Sequence, residues 1–182
     1  MHKGRKIATP GGFATRPTAQ RVREALFSIL QSTIPGARVL DLFSGSGAFA
    51  IEALSRGSAS AYLVDSNRVA FNTIVQNINL LNLQQCAHPL LTDAAVAIER
   101  FKRENVVFDI VFLDPPYGAP ILEEIVQKGV LLDILSSNGK IIIETDLKYA
   151  LYLDARYVLE NKKQYGDTAL WFVTKPAAAA NV

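Results

Sequence analysis

Cysteine is almost absent from the sequence, since Cys86 is the only one among 182 residues. One thiol can form neither an internal disulfide nor a cysteine-based metal cluster, and this excludes disulfide-stapled folds and thiolate metal sites. No apolar run approaches the roughly 20 residues that a membrane-spanning helix needs. The basic N-terminus is not followed by a continuous apolar segment, so a secretory signal peptide is not expected. These absences predict a protein of the reducing cytoplasm, with no membrane segment and no metal.

Charge of one sign is not in large excess either, because 19 basic residues face 17 acidic ones and leave a net charge of +2. The first 24 residues differ from this balance, with Glu24 as the single acid against six basic side chains. Local asymmetry of this kind suits a nucleic-acid backbone, although an ordinary solvated arm would look the same. The candidates for RNA contact are Lys3, Arg5, Lys6, Arg21 and Arg23.

Apolar residues make up 49% of the chain, enough to bury a core. With no internal repeat and no linker, residues 1–182 are expected to form one domain. Within it, residues 1–35 form a basic arm and a helix, and residues 176–182 a frayed tail.

Short apolar runs alternate with longer segments of helical period, which indicates an α/β fold with a parallel sheet covered on both faces. Pro89 cannot donate to a strand ladder and therefore places its strand at an edge. A first helix is expected over 19–32, with Thr18 as a plausible N-cap. The other helices are expected at 47–56, 67–82, 93–104 and 120–136, and the strands at 37–43, 60–65, 86–91, 107–113 and 139–144. Residues 156–161 and 168–174 are too close for a crossover helix and predict an antiparallel hairpin with its turn at 165–167.

A glycine-rich loop follows the first strand, in the segment from Asp41 to Gly47. Gly45, Gly47 and Ala50 satisfy the dinucleotide pattern, so the glycines alone do not separate a dinucleotide from S-adenosyl-L-methionine. The acid before the glycines favours S-adenosyl-L-methionine over a dinucleotide. A carboxylate at Asp41 would repel a pyrophosphate but could bind the ammonium of an amino acid, directly or through water. The residues expected to bind this cofactor here are Asp41, Phe43, Ser44, Gly45 and Gly47.

Two further acids follow the next strands. Asp65 is placed to accept hydrogen bonds from both ribose hydroxyls, with Ser66 beside it. Asp93, next to Ala94, could meet the exocyclic amine of adenine. For each acid the alternative is an ordinary helix N-cap.

The tetrad Asp114-Pro115-Pro116-Tyr117 ends the fourth strand and is the sharpest signal in the chain. Its prolines hold an extended, rigid turn in the crevice where open α/β sheets bind ligands. The amine of a nucleobase is a poor nucleophile because its lone pair is delocalised into the ring. If the Asp114 carboxylate and the Pro115 carbonyl accept its hydrogens, the lone pair is free to attack a methyl group. Tyr117 would stack on an unpaired or extruded base.

These motifs make the chain similar to the RsmD-type bacterial 16S rRNA guanine-N2 methyltransferases. The resemblance runs from Gly4-Arg5-Lys6 through Arg16-Pro17-Thr18 and the helix after it to residues 165–168, and it includes the glycine loop and the tetrad. It implies a Rossmann-like, seven-stranded methyltransferase sheet with a reversed last strand. It also implies that Phe13 to Thr18 close over the cofactor, with Arg16 and Thr18 among its contacts. The implied substrate is a guanine of 16S rRNA within a small-subunit (30S) assembly particle, and the protein is expected to be a monomer.

Three alternatives belong to other classes. A DNA adenine or cytosine amino-methyltransferase would share the tetrad, but such enzymes commonly carry a separate recognition region. A nicotinamide-dependent oxidoreductase would leave the tetrad unexplained. A non-catalytic RNA-binding module could retain the same fold.

Overall fold

The computed structural model describes residues 17–116 and 120–176. Several residues of the sequence-based predictions lie outside these ranges: Lys3, Arg5, Lys6, Phe13, Arg16, Tyr117 and the tail beyond Pro176.

A single seven-stranded sheet organises these residues, in the order β3-β2-β1-β4-β5-β7-β6. The first five strands in this order are parallel, and β7 is antiparallel to both of its neighbours. The predicted mostly parallel sheet with a reversed last strand is therefore confirmed, as is the edge position of the strand that contains Pro89. The strands are β1 (Arg38–Asp41), β2 (Ser60–Asp65), β3 (Ala87–Leu91), β4 (Phe108–Leu113), β5 (Leu135–Asp146), β6 (Val158–Tyr165) and β7 (Thr168–Thr174).

Helices cover both faces of the sheet and bury a separate apolar cluster on each. One face carries α1 (Pro17–Ile29), α2 (Ala48–Ser55) and α3 (Arg68–Leu80). The other carries α4 (Ala94–Arg103), α5 (Pro120–Gln127) and a 3₁₀ helix at Val130–Ile134. None of the helices in the described ranges is long and apolar enough to cross a membrane.

Several predicted boundaries were wrong, including that of the strand predicted over 156–161, which is β6 at Val158–Tyr165. The described part of the first helix runs over Pro17–Ile29, so Thr18 lies inside α1 and is not its N-cap. The helix predicted over 120–136 is divided at Gly129, which adopts a left-handed φ of 64°. The strand predicted over 139–144 is longer, because β5 begins at Leu135 and pairs there with Phe108.

The N-terminal helix is packed against the sheet near its centre. Phe27 of α1 lies in an aromatic group with Phe49 of α2 and Phe112 of β4, at ring distances of 5.3 to 6.4 Å. Arg56 lies 5.1 Å from the Phe27 ring and pairs with Glu52. These contacts fix α1 beside the strands whose carboxyl ends carry the site residues.

Candidate active site

A row of five acids lies along the carboxyl edge of the parallel strands. Four of them end or follow their strands and Glu144 lies two residues before the end of β5, so the row reads Asp93, Asp65, Asp41, Asp114 and Glu144 along β3-β2-β1-β4-β5. The parallel register sets this proximity, because parallel strands present their carboxyl ends at one edge of the sheet. The sequence had singled out four of the five.

Asp41, at the centre of the row, is fully buried at the end of β1. Burial and the nearby Asp114 carboxylate raise its pKa to about 7, with a smaller contribution from Asp65. The backbone amides of Ala50 and Phe43 oppose this shift, yet neither carboxylate oxygen completes a hydrogen bond within the described residues. A buried carboxylate without a partner is unfavourable, and an ammonium group reaching it through a water would satisfy it.

The glycine loop turns directly above Asp41. Gly45 and Gly47 both have left-handed φ values, 55° and 81°, that side chains other than glycine rarely adopt. Ser44 donates to the Asp41 carbonyl at 2.8 Å, and Asn77 donates to the Ser46 carbonyl at 2.9 Å. These bonds hold the loop in place, and the space beside the Gly45 Cα is open. The loop therefore offers a ligand close access to backbone.

Asp65 connects the second strand to the loop. One of its carboxylate oxygens accepts from the Gly45 amide and the other from the Asn67 amide, both at 2.8 Å. The N-cap of α3 is Asn67, whose side chain accepts from the amides of Val69 and Ala70, so Asp65 is not that cap. Each carboxylate oxygen keeps a further lone pair, and Asp65 can still accept from a ribose hydroxyl.

The remaining predicted contacts of the cofactor surround this centre. Asp93 holds the N-cap position of α4 but makes no side-chain capping bond, and its side chain is exposed. Ser66 is exposed beside Asp65, whereas Ala94 is buried and Phe43 half-buried. Within the described residues, then, Asp93 is free to meet a ligand.

Asp114 directly follows β4, beside the buried Pro115 and the exposed Pro116. Burial raises the pKa of Asp114 to about 6. Its neighbour across the sheet is Glu144, because Leu113 of β4 pairs with Ile143 of β5. Burial, followed by the charge of Asp114, raises the pKa of Glu144 to about 8.

Glu144 is a candidate site residue that no sequence motif singles out, because in the sequence it only ends the predicted apolar strand over 139–144. The available signal was an acid at the carboxyl end of the strand that follows β4 in the fold, but reading it requires knowing that β5 lies directly beside β4.

The two arginines predicted to contact RNA lie on α1. Arg21 is exposed and Arg23 half-buried, and neither makes an ion pair within residues 17–116 and 120–176. Both residues lie in the N-terminal half of α1, the helix that packs on the same face of the sheet as α2 and α3. No group of three or more His, Cys, Asp or Glu side chains in the described part of the chain is arranged to hold a metal ion.

Comparison with known proteins places this geometry in a family. The family model described as "Conserved hypothetical protein 95" matches residues 1–174. Ribosomal RNA small subunit methyltransferase D of Escherichia coli K12 is 32% identical over 168 residues, covering 92% of this chain and 83% of that protein. The protein of the same name from Buchnera aphidicola (strain APS) is 32% identical over 161 residues, covering 88% and 83%.

Solved structures agree with the sequence comparisons. The Escherichia coli protein yhhF superposes with a TM-score of 0.79 at 32% identity, covering 96% of this chain and 94% of that one. SMU.776, solved in complex with SAH, has a TM-score of 0.69 at 19% identity and covers 85% of this chain and 48% of that one. The second likeness concerns the fold alone.

Proposed function

The chain belongs to the family of conserved hypothetical protein 95, and from this premise we propose that it is an S-adenosyl-L-methionine-dependent methyltransferase acting on the exocyclic N2 amine of a guanine in small-subunit rRNA. The RsmD-type family predicted from the sequence is confirmed. The observation that carries the proposed chemistry is the position of Asp114 and its two prolines beside the open glycine loop.

The electrostatics of the row favour this cofactor over a dinucleotide. The charges of Asp114 and Asp65 act on Asp41, and the charge of Asp114 acts on Glu144. No basic side chain is among the groups that shift the pKa of Asp41, Asp114 or Glu144. A ligand with net positive charge relieves this crowding, whereas a pyrophosphate would increase it. S-adenosyl-L-methionine carries a sulfonium and an ammonium against one carboxylate, so its net charge fits the site.

The residues present would divide the binding between them. Asp41 would hold the ammonium through a water, Gly45 and Gly47 would let backbone lie against the ligand, and Asp65 would accept from the ribose. Asp93 would accept a hydrogen bond from the adenine amine. The other residues proposed to line the cofactor site are Phe43, Ser44, Ser66 and Ala94. Arg16 and Thr18 remain predicted contacts from the N-terminal segment.

When bound, S-adenosyl-L-methionine supplies a methyl group already activated by the positive sulfur. The protein therefore needs to position the amine and stabilise its charge. Asp114 would accept one hydrogen of the amine and the Pro115 carbonyl the other, which turns the nitrogen lone pair out of the ring system. Asp114 is ionised at neutral pH and can also take up the proton that the amine loses. Tyr117 would stack on the base.

We also propose a small-subunit assembly particle as the natural substrate, a monomer as the active species and the cytoplasm as its location. The test is to incubate the protein with labelled S-adenosyl-L-methionine and unmodified 30S particles, naked 16S rRNA or DNA, then digest the nucleic acid and identify the labelled nucleoside. N2-methylguanosine from rRNA supports the proposal. Methyladenine or methylcytosine from DNA would overturn the substrate. No transfer to any nucleic acid, from protein that binds the cofactor, would indicate a non-catalytic RNA-binding module.

A further inference from the structure

Asp114 and Glu144 line the same pocket at the carboxyl edge of β4 and β5. The rest of its wall is almost entirely apolar and comes from α1, α2, β4, β5 and β7. These lining residues are Leu26, Phe49, Phe112, Leu113, Ile142 and Leu170. The space between these residues is only about 10 Å³, enough for one water, so a larger ligand would meet the two carboxyl groups from their accessible side.

Neither carboxyl group has a hydrogen-bond partner among the described residues. Within the described residues no side chain or amide donates a hydrogen bond to Asp114 or Glu144, and both side chains keep part of their surface accessible. The charged group acting on Glu144 is Asp114, whereas α1, α2 and β7 face the pocket with Leu26, Phe49 and Leu170. Partly buried polar groups without partners in an apolar pocket point to a polar ligand that provides them.

The edge of guanine presents three groups in a row: the N2 amine, the N1–H donor and the O6 acceptor. If Asp114 holds the amine, the neighbouring N1–H and O6 would lie against the accessible surface of Glu144 and lose part of their water. Leaving them without partners would disfavour binding. A carboxylic acid matches both, because its carbonyl oxygen accepts and its hydroxyl donates.

We propose that Glu144 is the residue that selects guanine, as a neutral carboxylic acid that accepts from N1–H and donates to O6 while Asp114 holds the N2 amine. This role rests on the proposed function and deepens it. The tetrad beginning at Asp114 is suited to any nucleobase amine and does not distinguish among the three bases that carry one.

The protonation states of the pair agree with this division. Burial raises the pKa of both carboxyl groups, Asp114 to about 6 and Glu144 to about 8, and the charge of Asp114 disfavours a second charge beside it. The pair therefore holds one proton near neutral pH, and Glu144 binds that proton more tightly. Adenine presents a ring acceptor and a C–H beside its amine, which uses only one of the two groups of the acid. Cytosine presents two acceptors, and the carbonyl oxygen of the acid would be placed against one of them. Guanine alone uses the full pattern.

Two substitutions separate recognition from packing. Glu144→Gln keeps the shape and the pattern of one acceptor and one donor but cannot ionise. Glu144→Leu keeps similar volume and removes both groups. The assay is kcat/KM for methylation of unmodified 30S particles, measured from below the pKa of Asp114 to above that of Glu144, with cofactor affinity measured separately.

We expect wild-type activity to rise through a pH of about 6 and fall through about 8. Glu144→Gln should stay within about threefold of the wild type at neutral pH and lose the alkaline decline. Glu144→Leu should lower kcat/KM roughly 100-fold, since two buried groups of the base lose their partners. Neither variant should change the affinity for S-adenosyl-L-methionine.

Three results would overturn the role of Glu144: full activity of Glu144→Leu, Glu144→Gln as impaired as Glu144→Leu, or an alkaline decline that persists in Glu144→Gln. If Glu144→Leu does not fold, the pH profile of Glu144→Gln still decides. These outcomes require a wild type that produces N2-methylguanosine. A wild type that transfers no methyl group to rRNA overturns the proposed function itself, and this role with it.

Discussion

Asp114 is the side chain proposed to bind the base and align its amine. We expect Asp114→Ala to reduce methylation at least 1000-fold, on the scale of losing a residue that acts in the transition state. Cofactor affinity should change little, because the proposed contact of Asp114 is with the base. Single-turnover methylation and calorimetric cofactor binding measure the two effects.

The control for this variant is Asp133→Ala, which removes an exposed acid that pairs with Lys102 far from the row. It should leave turnover unchanged. Near-normal turnover of Asp114→Ala would refute the assignment of the tetrad.

Asp41 makes a prediction about stability. Its pKa rises from 3.8 to about 7 on folding, so the folded protein holds this proton more tightly than the unfolded chain. Stability is therefore lost as pH rises through this interval, and the full cost, on the order of a few kcal/mol, remains above it. Asp41→Asn cannot ionise and should be more stable than the wild type at pH 8, with weaker binding of S-adenosyl-L-methionine.

Thermal unfolding without ligand, followed across pH, measures this difference. The gain in the unfolding midpoint should be smallest below pH 4 and largest above pH 7. Asp133→Asn serves as the exposed control and should show no comparable trend. A gain that is the same at every pH would mean that the Asp41 charge is not its cause.

At the scale of elements, substitutions at the two glycines of the loop are expected to differ: one should mainly affect stability and the other mainly cofactor binding. A Cβ at Gly47 would lie 2.9 Å from the Leu63 side chain, whereas a Cβ at Gly45 would meet nothing within 4 Å. Gly47→Ala should therefore destabilise the fold by about 2–4 kcal/mol, from backbone strain and overpacking together. Gly45→Ala should cost only about 1–2 kcal/mol but should strongly weaken cofactor binding, because its methyl group fills the open space.

Denaturant unfolding and cofactor titration of the two variants test this contrast. Equal stability losses would contradict the role of Leu63. Unchanged cofactor affinity in Gly45→Ala would show that the ligand does not approach this part of the loop.

The first helix carries the prediction about RNA. Replacing Arg21 and Arg23 together with Ala should weaken binding of 16S rRNA and lower the slope of log affinity against log salt by roughly 1.4–1.8. Filter binding over a range of salt concentrations provides the slopes. The matched control is Lys102→Ala with Lys128→Ala, which removes two exposed charges from the opposite face. If the control has the same effect, the two arginines are ordinary surface charges.

The helices and strands show which parts of the fold can be predicted from the sequence and which cannot. Apolar periodicity placed the strands and helices because buried parallel strands are apolar throughout, and it placed β2 at its observed bounds. It failed where backbone geometry decides, as at Gly129, whose left-handed turn ends α5. Residues 135–138 are too polar to look like a strand, yet they extend β5. Motifs located Asp41, Asp65 and Asp114, whereas Glu144 has meaning only through the order of strands.

On the scale of the whole molecule, both outer strands of the sheet are protected against pairing. Pro89 interrupts the edge of β3, and β6 carries Glu160, Lys162 and Lys163. Lys162 lies 3.9 Å from the Trp171 ring and covers it. Charged and proline-bearing edges disfavour association between copies. We therefore expect a monomer of 19.9 kDa in analytical ultracentrifugation over a wide concentration range. A concentration-dependent dimer would contradict this.

The position of β7 has a consequence for how the protein is made. This strand comes last among the described elements, yet it lies between β5 and β6 and is buried over Thr168–Val173, where Trp171 donates to Thr145 at 2.9 Å. Before residues 168–174 have left the ribosome that synthesises them, β5 has no partner on one side and β6 has none at all. Pairing of β5 with β7 joins residues that are far apart in the sequence, and pairing of this kind forms slowly. Insertion of β7 between β5 and β6 is therefore expected to be a late step of folding, and the sheet is complete only after it.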